Sequence, residues 1–86
     1  ELARNITHKA AWMTDHGHMD PSINAMAKYY TGENAVWVVD KALQMHGGYG
    51  YIDEYPIQRF YRDAKILEIY EGTKEAELMT ISRRLL

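Results

Sequence analysis

Helix breakers divide this chain before any other signal does. Gly17, the run Gly47-Gly48-Tyr49-Gly50, Pro56 and Gly72 fall between stretches of helical spacing, and glycine and proline are the strongest local punctuators. In the first stretch Leu2, Ile6, Ala10 and Met13 recur at intervals of three and four. They make one apolar face of a helix expected from about Glu1 to His16, with Gly17 as its C′ stop. "MDPS" restarts the chain, with Asp20 as N-cap and Pro21 in the first turn. The second helix is expected from Pro21 to His46. Its segment "AVWVV", residues 35–39, is apolar on all sides, which predicts a helix buried against several neighbours. The β-branched residues there also suit a strand. The flanking pattern of Ile23, Met26, Ala27 and Tyr30, then Ala42, Leu43 and Met45, decides for helix. "HGGYGYIDEYP" reads as a loop, and Pro56 opens a third helix over roughly 56–66. After a second break at "EIYEG", Thr73 caps a last helix, 74 to about 85, whose apolar face is Leu78, Ile81 and Leu85. The reading is an all-α helical bundle forming one domain, 1–86, with no strand.

Composition narrows the classes of function. Hydrophobic residues make up 47% of the 86 and charged residues 26%, a globular balance. At this length only a small core is available and stability alone is marginal. A net charge of −2 argues against nucleic acid or an anionic membrane as the main partner. There is no cysteine, hence no disulfide framework and no thiolate site. No apolar run approaches the ~18 residues of a membrane span, and no signal peptide is visible. The opening "ELARNITHKAAW" is helical in character from its first residues, as expected for a piece of a longer protein.

Four features carry chemistry or its ordinary alternative. The glycines of "QMHGGYG" permit positive φ and close approach of another group, and their N–H groups suit an anion such as phosphate. A helix C-cap followed by a loop is the plainer use of the same residues. The motif lacks the spacing and lysine of a P-loop and the preceding strand of a dinucleotide fold. His8, His16, His18 and His46 show no helical metal-site spacing, and surface or capping roles are expected of them. In "RFYRDAK", Arg59, Arg62, Asp63 and Lys65 read as a solvated or ion-paired face, with a structural role for Arg62 and Asp63. In "IYEGT", Ile69 and Tyr70 flank Glu71. If they desolvate it, its pKa rises toward the range of a general base; the alternative is an exposed glutamate in a turn. Gly72 is a poor residue for a helix interior, so the backbone at that point matters.

Residues 42–86, "ALQMHGGYGYIDEYPIQRFYRDAKILEIYEGTKEAELMTISRRLL", resemble the C-terminal end of the acyl-CoA dehydrogenase family. The family pattern is Q-x-x-G-G-x-G-[FY], E-Y-P, R-D-A, I-Y-E-G-T and a closing helix, and this chain has each element in order. Residues 1–41 look like the preceding helices of the same domain, so the resemblance covers the whole chain. Each motif alone is weak and the ordered set is specific.

The resemblance implies an FAD enzyme that oxidises an acyl-CoA thioester to a trans-2-enoyl-CoA. Glu71 matches the base of the short- and medium-chain type, removing a proton from Cα while hydride leaves Cβ for flavin N5. Its own backbone N–H, with a flavin ribityl hydroxyl, would bind the thioester carbonyl, an oxyanion-type contact. Tyr70 and Gly72 match substrate-contacting positions. Thr73, Lys74 and Glu75 match the segment that touches FAD at a helix N-terminus. Gln44, Met45, His46, Gly47 and Gly48 match the segment that meets the FAD of a neighbouring subunit. The resemblance therefore also implies a homo-oligomer, a dimer of dimers, with electrons leaving to an electron-transfer flavoprotein, in bacterial or archaeal cytoplasm or the mitochondrial matrix. Glu71 sets the chain apart from branches resembling isovaleryl-CoA dehydrogenases, whose base lies on an earlier helix. Glu68 is outside the family pattern and is expected at the surface. The family's N-terminal and middle domains and the first helix of its C-terminal bundle have no counterpart here. Two alternatives stand beside the dehydrogenase: an inert helical oligomerisation module, and a decarboxylating enzyme of the glutaryl-CoA type.

Overall fold

A computed structural model describes all residues, 1–86. It contains four α-helices and no strand: α1 (Leu2–Asp15), α2 (Pro21–His46), α3 (Ile57–Lys65) and α4 (Lys74–Leu85). Short 3₁₀ turns, Gly47–Gly50 and Ile66–Glu68, sit at the C-terminal ends of α2 and α3. The segment expected as a plain loop after α2 thus begins with a 3₁₀ turn, and the third helix ends in one.

The breakers act as their chemistry requires. Gly17, at φ 75°, closes α1. The Gly17 N–H donates to the Thr14 carbonyl and the His18 N–H to the Met13 carbonyl, at 3.3 and 2.8 Å. This crossed pair is a Schellman motif, satisfying two carbonyls that the helix leaves open. Asp20 caps α2 by accepting from the Ser22 amide (2.9 Å) and the Ser22 hydroxyl (2.7 Å). Those two bonds, with Arg84 nearby, hold the Asp20 carboxyl below its ordinary range despite partial burial. Thr73 caps α4 by accepting from the Ala76 amide at 3.2 Å.

The 26-residue α2 is the axis, and every other helix packs on it. α1 folds back along its first half, so that Leu2, Ile6 and Tyr30 border one shallow groove. α4 runs antiparallel to the same half, and Arg84 lies 3.6 Å from Asp20 at its far end. The molecule is elongated, 48 × 22 × 17 Å.

The core is thin. Ala10 and Ala25 are its buried apolar residues, and no large side chain is fully enclosed. In "AVWVV", Trp37 is 60% exposed and Val38 50%. The expectation of a helix buried on all sides is therefore corrected: α1 and α4 flank the first half of α2, and one side of its second half faces solvent. On α4 the inward face is Lys74, Glu77 and Ile81, all half-buried, while Leu78 and Leu85 are exposed. That face is rotated from the expected one because Lys74 and Glu77 both reach back toward the preceding turn.

Two glycines allow close backbone approach. A Cβ on Gly32 would lie 2.7 Å from the Leu67 carbonyl oxygen, and one on Gly50 2.7 Å from the Leu43 carbonyl oxygen. Gly32 lets the 66–68 turn lie directly on α2, which sets the height from which the next turn departs.

Candidate active site

The turn from Ile69 to Thr73 leaves the 66–68 segment and enters α4. Ile69 and Tyr70 both donate to the Ile66 carbonyl, at 2.9 and 3.0 Å. The chain then reverses hand. Glu71 has φ 58° and Gly72 φ 103°, and Glu71 is the sole non-glycine residue with positive φ. An L-residue in the left-handed region costs roughly 1 kcal/mol or more, and such strain gathers at functional sites. Glycine is favoured at 72 first by its backbone conformation and second by a side chain that would have to move. Its φ disfavours any side chain, and a Cβ there would collide with the Glu77 carboxylate oxygen. Thr73 returns to extended backbone, φ −64° and ψ 158°, and starts the helix.

Glu71, Ile69 and Tyr70 are all exposed. Of the two readings the sequence left open, the exposed glutamate in a turn is the one seen within this chain, and neither Ile69 nor Tyr70 buries it. What the turn does supply is an unusual backbone at Glu71. Glu71 stands exposed on a strained, glycine-backed corner.

Beneath the corner lies the largest departure from the sequence reading. Glu68, expected at the surface, is buried, 5% exposed. Lys65 donates to its Oε1 at 2.7 Å, and the Lys74 Nζ lies 3.4 Å from its Oε2. A buried carboxylate persists when paired in this way. The Lys65 hydrogen bond holds the Glu68 pKa below its ordinary value against the opposing effect of burial, with Lys74 adding to the lowering. Lys65 is raised in turn, first by the Glu68 hydrogen bond. Tyr29 on α2 is near Glu33 and Glu68, and its hydroxyl is raised, chiefly by the neighbouring Glu33 carboxylate. Lys28, also on α2, donates to the Leu67 carbonyl and stands 5.5 Å from the centroid of the Tyr70 ring. Sequence reasoning missed Gly32, Lys28 and Glu68. The available signals were a lone glycine inside a helical pattern and two lysines bracketing the turn, Lys65 three residues before Glu68 and Lys74 six after it.

Thr73, Lys74 and Glu75 stand at the N-terminus of α4, beside Glu71. The Lys74 ammonium is engaged with Glu68, while Thr73 and Glu75 are exposed. Gln44, Met45, His46, Gly47 and Gly48 are exposed at the far end of α2. Twelve residues of helix separate Gln44 from Gly32, about 18 Å at 1.5 Å per residue. The two predicted clusters are therefore not brought together within one chain. Gly47 has φ 62°, and neither it nor Gly48 has an atom within 4 Å of where a Cβ would stand, so both present bare backbone to whatever adjoins them. His46 bonds the Ala42 carbonyl through Nδ1 at 2.8 Å. Arg62 and Asp63 are exposed and form no ion pair. The structural pairing expected of them falls instead to Lys65, which lies on the side of α3 that meets Glu68.

With this geometry in view, the likeness to known proteins is extensive. The sequence profile of the acyl-CoA dehydrogenase C-terminal domain matches residues 1–86. The acryloyl-CoA reductase (NADH) of Anaerotignum propionicum is 48% identical over 84 residues, 98% of this chain and 21% of that protein. The butyryl-CoA dehydrogenase structure from Megasphaera elsdenii superimposes with a TM-score of 0.90 at 44% identity, over 98% of this chain and 22% of that one. A chain from the structural study of the electron-transferring flavoprotein of Acidaminococcus fermentans gives 0.92 at 40% identity, over 99% of this chain and 22% of that one. This chain thus spans about a fifth of the length of the proteins it matches. An ordered set of breakers, a left-handed glutamate and a whole-length match agree: the chain belongs to the acyl-CoA dehydrogenase family, as its C-terminal helical domain.

Proposed function

We propose that the 86 residues form one helical domain of an FAD-dependent acyl-CoA dehydrogenase and carry its catalytic base, Glu71. The observation that carries this reading is the left-handed Glu71, exposed and backed by a glycine that no other residue could replace without strain. FAD, when bound, supplies the acceptor for the hydride that leaves Cβ. The Glu71 carboxylate takes the proton from Cα of the acyl-CoA, so that a trans-2-enoyl-CoA forms. The Glu71 amide donates to the thioester carbonyl and stabilises the charge developing on its oxygen. Gly72 leaves room for the thioester on one side of the corner, and Tyr70, held near Lys28, borders the other.

The residues present suit the cofactor. α4 presents unbonded amides at its first turn next to Glu71, a setting that favours phosphate groups. The bare backbone of Gly47 and Gly48, with Gln44, Met45 and His46, suits contact with an FAD held elsewhere than at this chain's own Glu71, given their separation. That separation supports a homo-oligomer in which two subunits share each site, read as a dimer of dimers. Electron-transfer flavoprotein is the proposed electron partner, supported by the likeness to a chain from the Acidaminococcus study. No helix is long and apolar enough to cross a membrane; bacterial or archaeal cytoplasm or the mitochondrial matrix is the proposed location.

A second direction has its own support, in the likeness to an acryloyl-CoA reductase. By microscopic reversibility, with reduced FAD when bound supplying the hydride to Cβ, protonated Glu71 would return a proton to Cα of an enoyl-CoA, and the same corner would serve both directions. The test uses the full-length polypeptide that carries this chain, under anaerobic conditions, with butyryl-, octanoyl- and palmitoyl-CoA. Wild type is expected to bleach its flavin with one of them, and Glu71→Gln to retain FAD without bleaching. Equal bleaching by Glu71→Gln overturns the assignment. The 86-residue piece alone is expected to reduce no dye.

A further inference from the structure

Glu68 and Lys74 stand three residues before and three residues after Glu71. Their side chains meet at 3.4 Å, so one ion pair closes the loop of backbone that carries the base. The geometry points to Glu68 and Lys74 as a staple that holds this corner in its left-handed conformation, making Glu68 a positioning residue for proton abstraction. The inference rests on the reading of Glu71 as the base.

The argument begins from strain. Nothing intrinsic keeps a glutamate at φ 58°; relaxing it to an ordinary conformation is downhill by roughly 1 kcal/mol or more. The turn must therefore be held from both ends. On the entry side Gly32 seats the Leu67 carbonyl directly against α2, and Lys28 donates to that same carbonyl. On the exit side Thr73 caps α4. These ties fix each end separately. The Glu68–Lys74 pair is the side-chain bond that joins one end to the other. Glu68 is buried at the junction, while Lys74 is half-buried, so the pair is partly shielded from water, where an ion pair is worth more than at the surface. Lys65 binds the same carboxylate through Oε1. It lies on the entry side, as Glu68 does, so that bond fixes the carboxylate without spanning the turn. Lys65 is thus a built-in control.

A staple of this kind acts on rate rather than on binding. Glu71 would stay present and exposed without it, but its aim would spread over several conformations, and displacements near 1 Å lower rates by up to about a hundredfold.

The experiment uses the full-length flavoenzyme and measures flavin reduction by its best acyl-CoA, per bound FAD, in wild type, Glu68→Gln, Lys74→Gln, the double variant, Lys74→Arg and Lys65→Gln. Glu68→Gln and Lys74→Gln are each expected to slow reduction about tenfold, with KM within about twofold. The double variant should be no slower than either single, because one bond has been removed in all three. Lys74→Arg should recover most of the rate, and Lys65→Gln should stay within about threefold of wild type. Amide exchange over residues 69–73 should accelerate in Glu68→Gln and Lys74→Gln and not in Lys65→Gln. Single variants within twofold of wild type with unchanged exchange would overturn the staple. So would additive losses in the double variant, which would mean that Lys74 acts on the cofactor by itself. Glu71→Gln runs in the same assay. If it reduces flavin normally, the base assignment fails, while the exchange data still decide whether the staple exists.

Discussion

Two regions of this chain exchange the places that hydropathy assigns them. Residues 36–38, valine, tryptophan and valine, form the most apolar stretch, and Trp37 and Val38 lie open to solvent. Glu68, a carboxylate, is among the most buried residues. The difference follows from what each region packs against. α2 is about twice as long as α1 or α4, so its second half extends past both and meets only α3 and the short Gly47–Gly50 turn. Glu68 sits where α2, the 66–68 turn and the start of α4 converge, and a junction of three elements buries whatever occupies it. A charge is tolerated there because two lysines reach it. Burial in so small a bundle is decided by junctions rather than by composition.

The largest expected effect tests the junction itself. Gly32→Ala places a methyl 2.7 Å from the Leu67 carbonyl oxygen. Backbone offers no rotamer to relieve that overlap, so the 66–68 turn must lift from α2, at a cost of about 1–3 kcal/mol. Thermal unfolding should shift down accordingly, and, on the proposed role of Glu71, flavin reduction by the full-length protein should fall with it because the turn that carries Glu71 moves too. An unchanged melting temperature would mean that the turn does not rest on α2.

Gly72→Ala comes next. It asks an alanine to hold φ 103° and pushes the Glu77 carboxylate aside. The carboxylate can swing away, so the cost is mainly backbone strain, about 1–2 kcal/mol. Urea unfolding measures it. A neutral result would show that the corner is not held in the left-handed region, and the contrast between a strained corner and its ionic support would dissolve.

The ionic junction also predicts a pH dependence. The Glu68 carboxyl is held below its ordinary value of 4.5, so its contribution is present above that value and is lost as pH falls through the lower folded one. Lys65 is raised above 10.5, so its share is complete below that value and fades as pH rises through the higher folded one. Stability should be flat between the two and fall on the acid side, a limb that Asp20 shares. Glu68→Gln should flatten part of the acid limb. If the limb is the same with and without the carboxylate, the pairing does not persist in solution.

Much of this was legible from the sequence because it is local. Asp20-Pro21 and Thr73 are caps, Gly17 is a stop, and each acts within four residues of itself. Glu71 and Gly72 were legible as a pair because a glycine that interrupts two helices signals unusual backbone. The buried Glu68 was not, since its burial depends on Gly32 and Lys28, more than 30 residues away in sequence. Nor was the exposure of Trp37, which depends on where α1 and α4 stop. Pattern tells which residues share a face; it does not tell how far a neighbour extends along it.

The smallest effect sharpens the other side of the comparison. Trp37→Ser removes the largest side chain of the apolar stretch, and hydropathy alone would make it the most damaging change of all. In this chain the indole is 60% exposed, with Lys41 5.7 Å from its ring. Little area leaves contact when it is cut, and a weak exposed cation–π contact is the main loss. In urea unfolding of the 86-residue chain the change should fall within about 0.5 kcal/mol, as for surface positions generally. Solubility should rise, because an exposed apolar patch promotes association. A loss above about 1 kcal/mol would instead require the indole to be enclosed. The second half of α2 would then be packed as its composition predicts, and only Glu68 would remain as the exception that junction geometry explains.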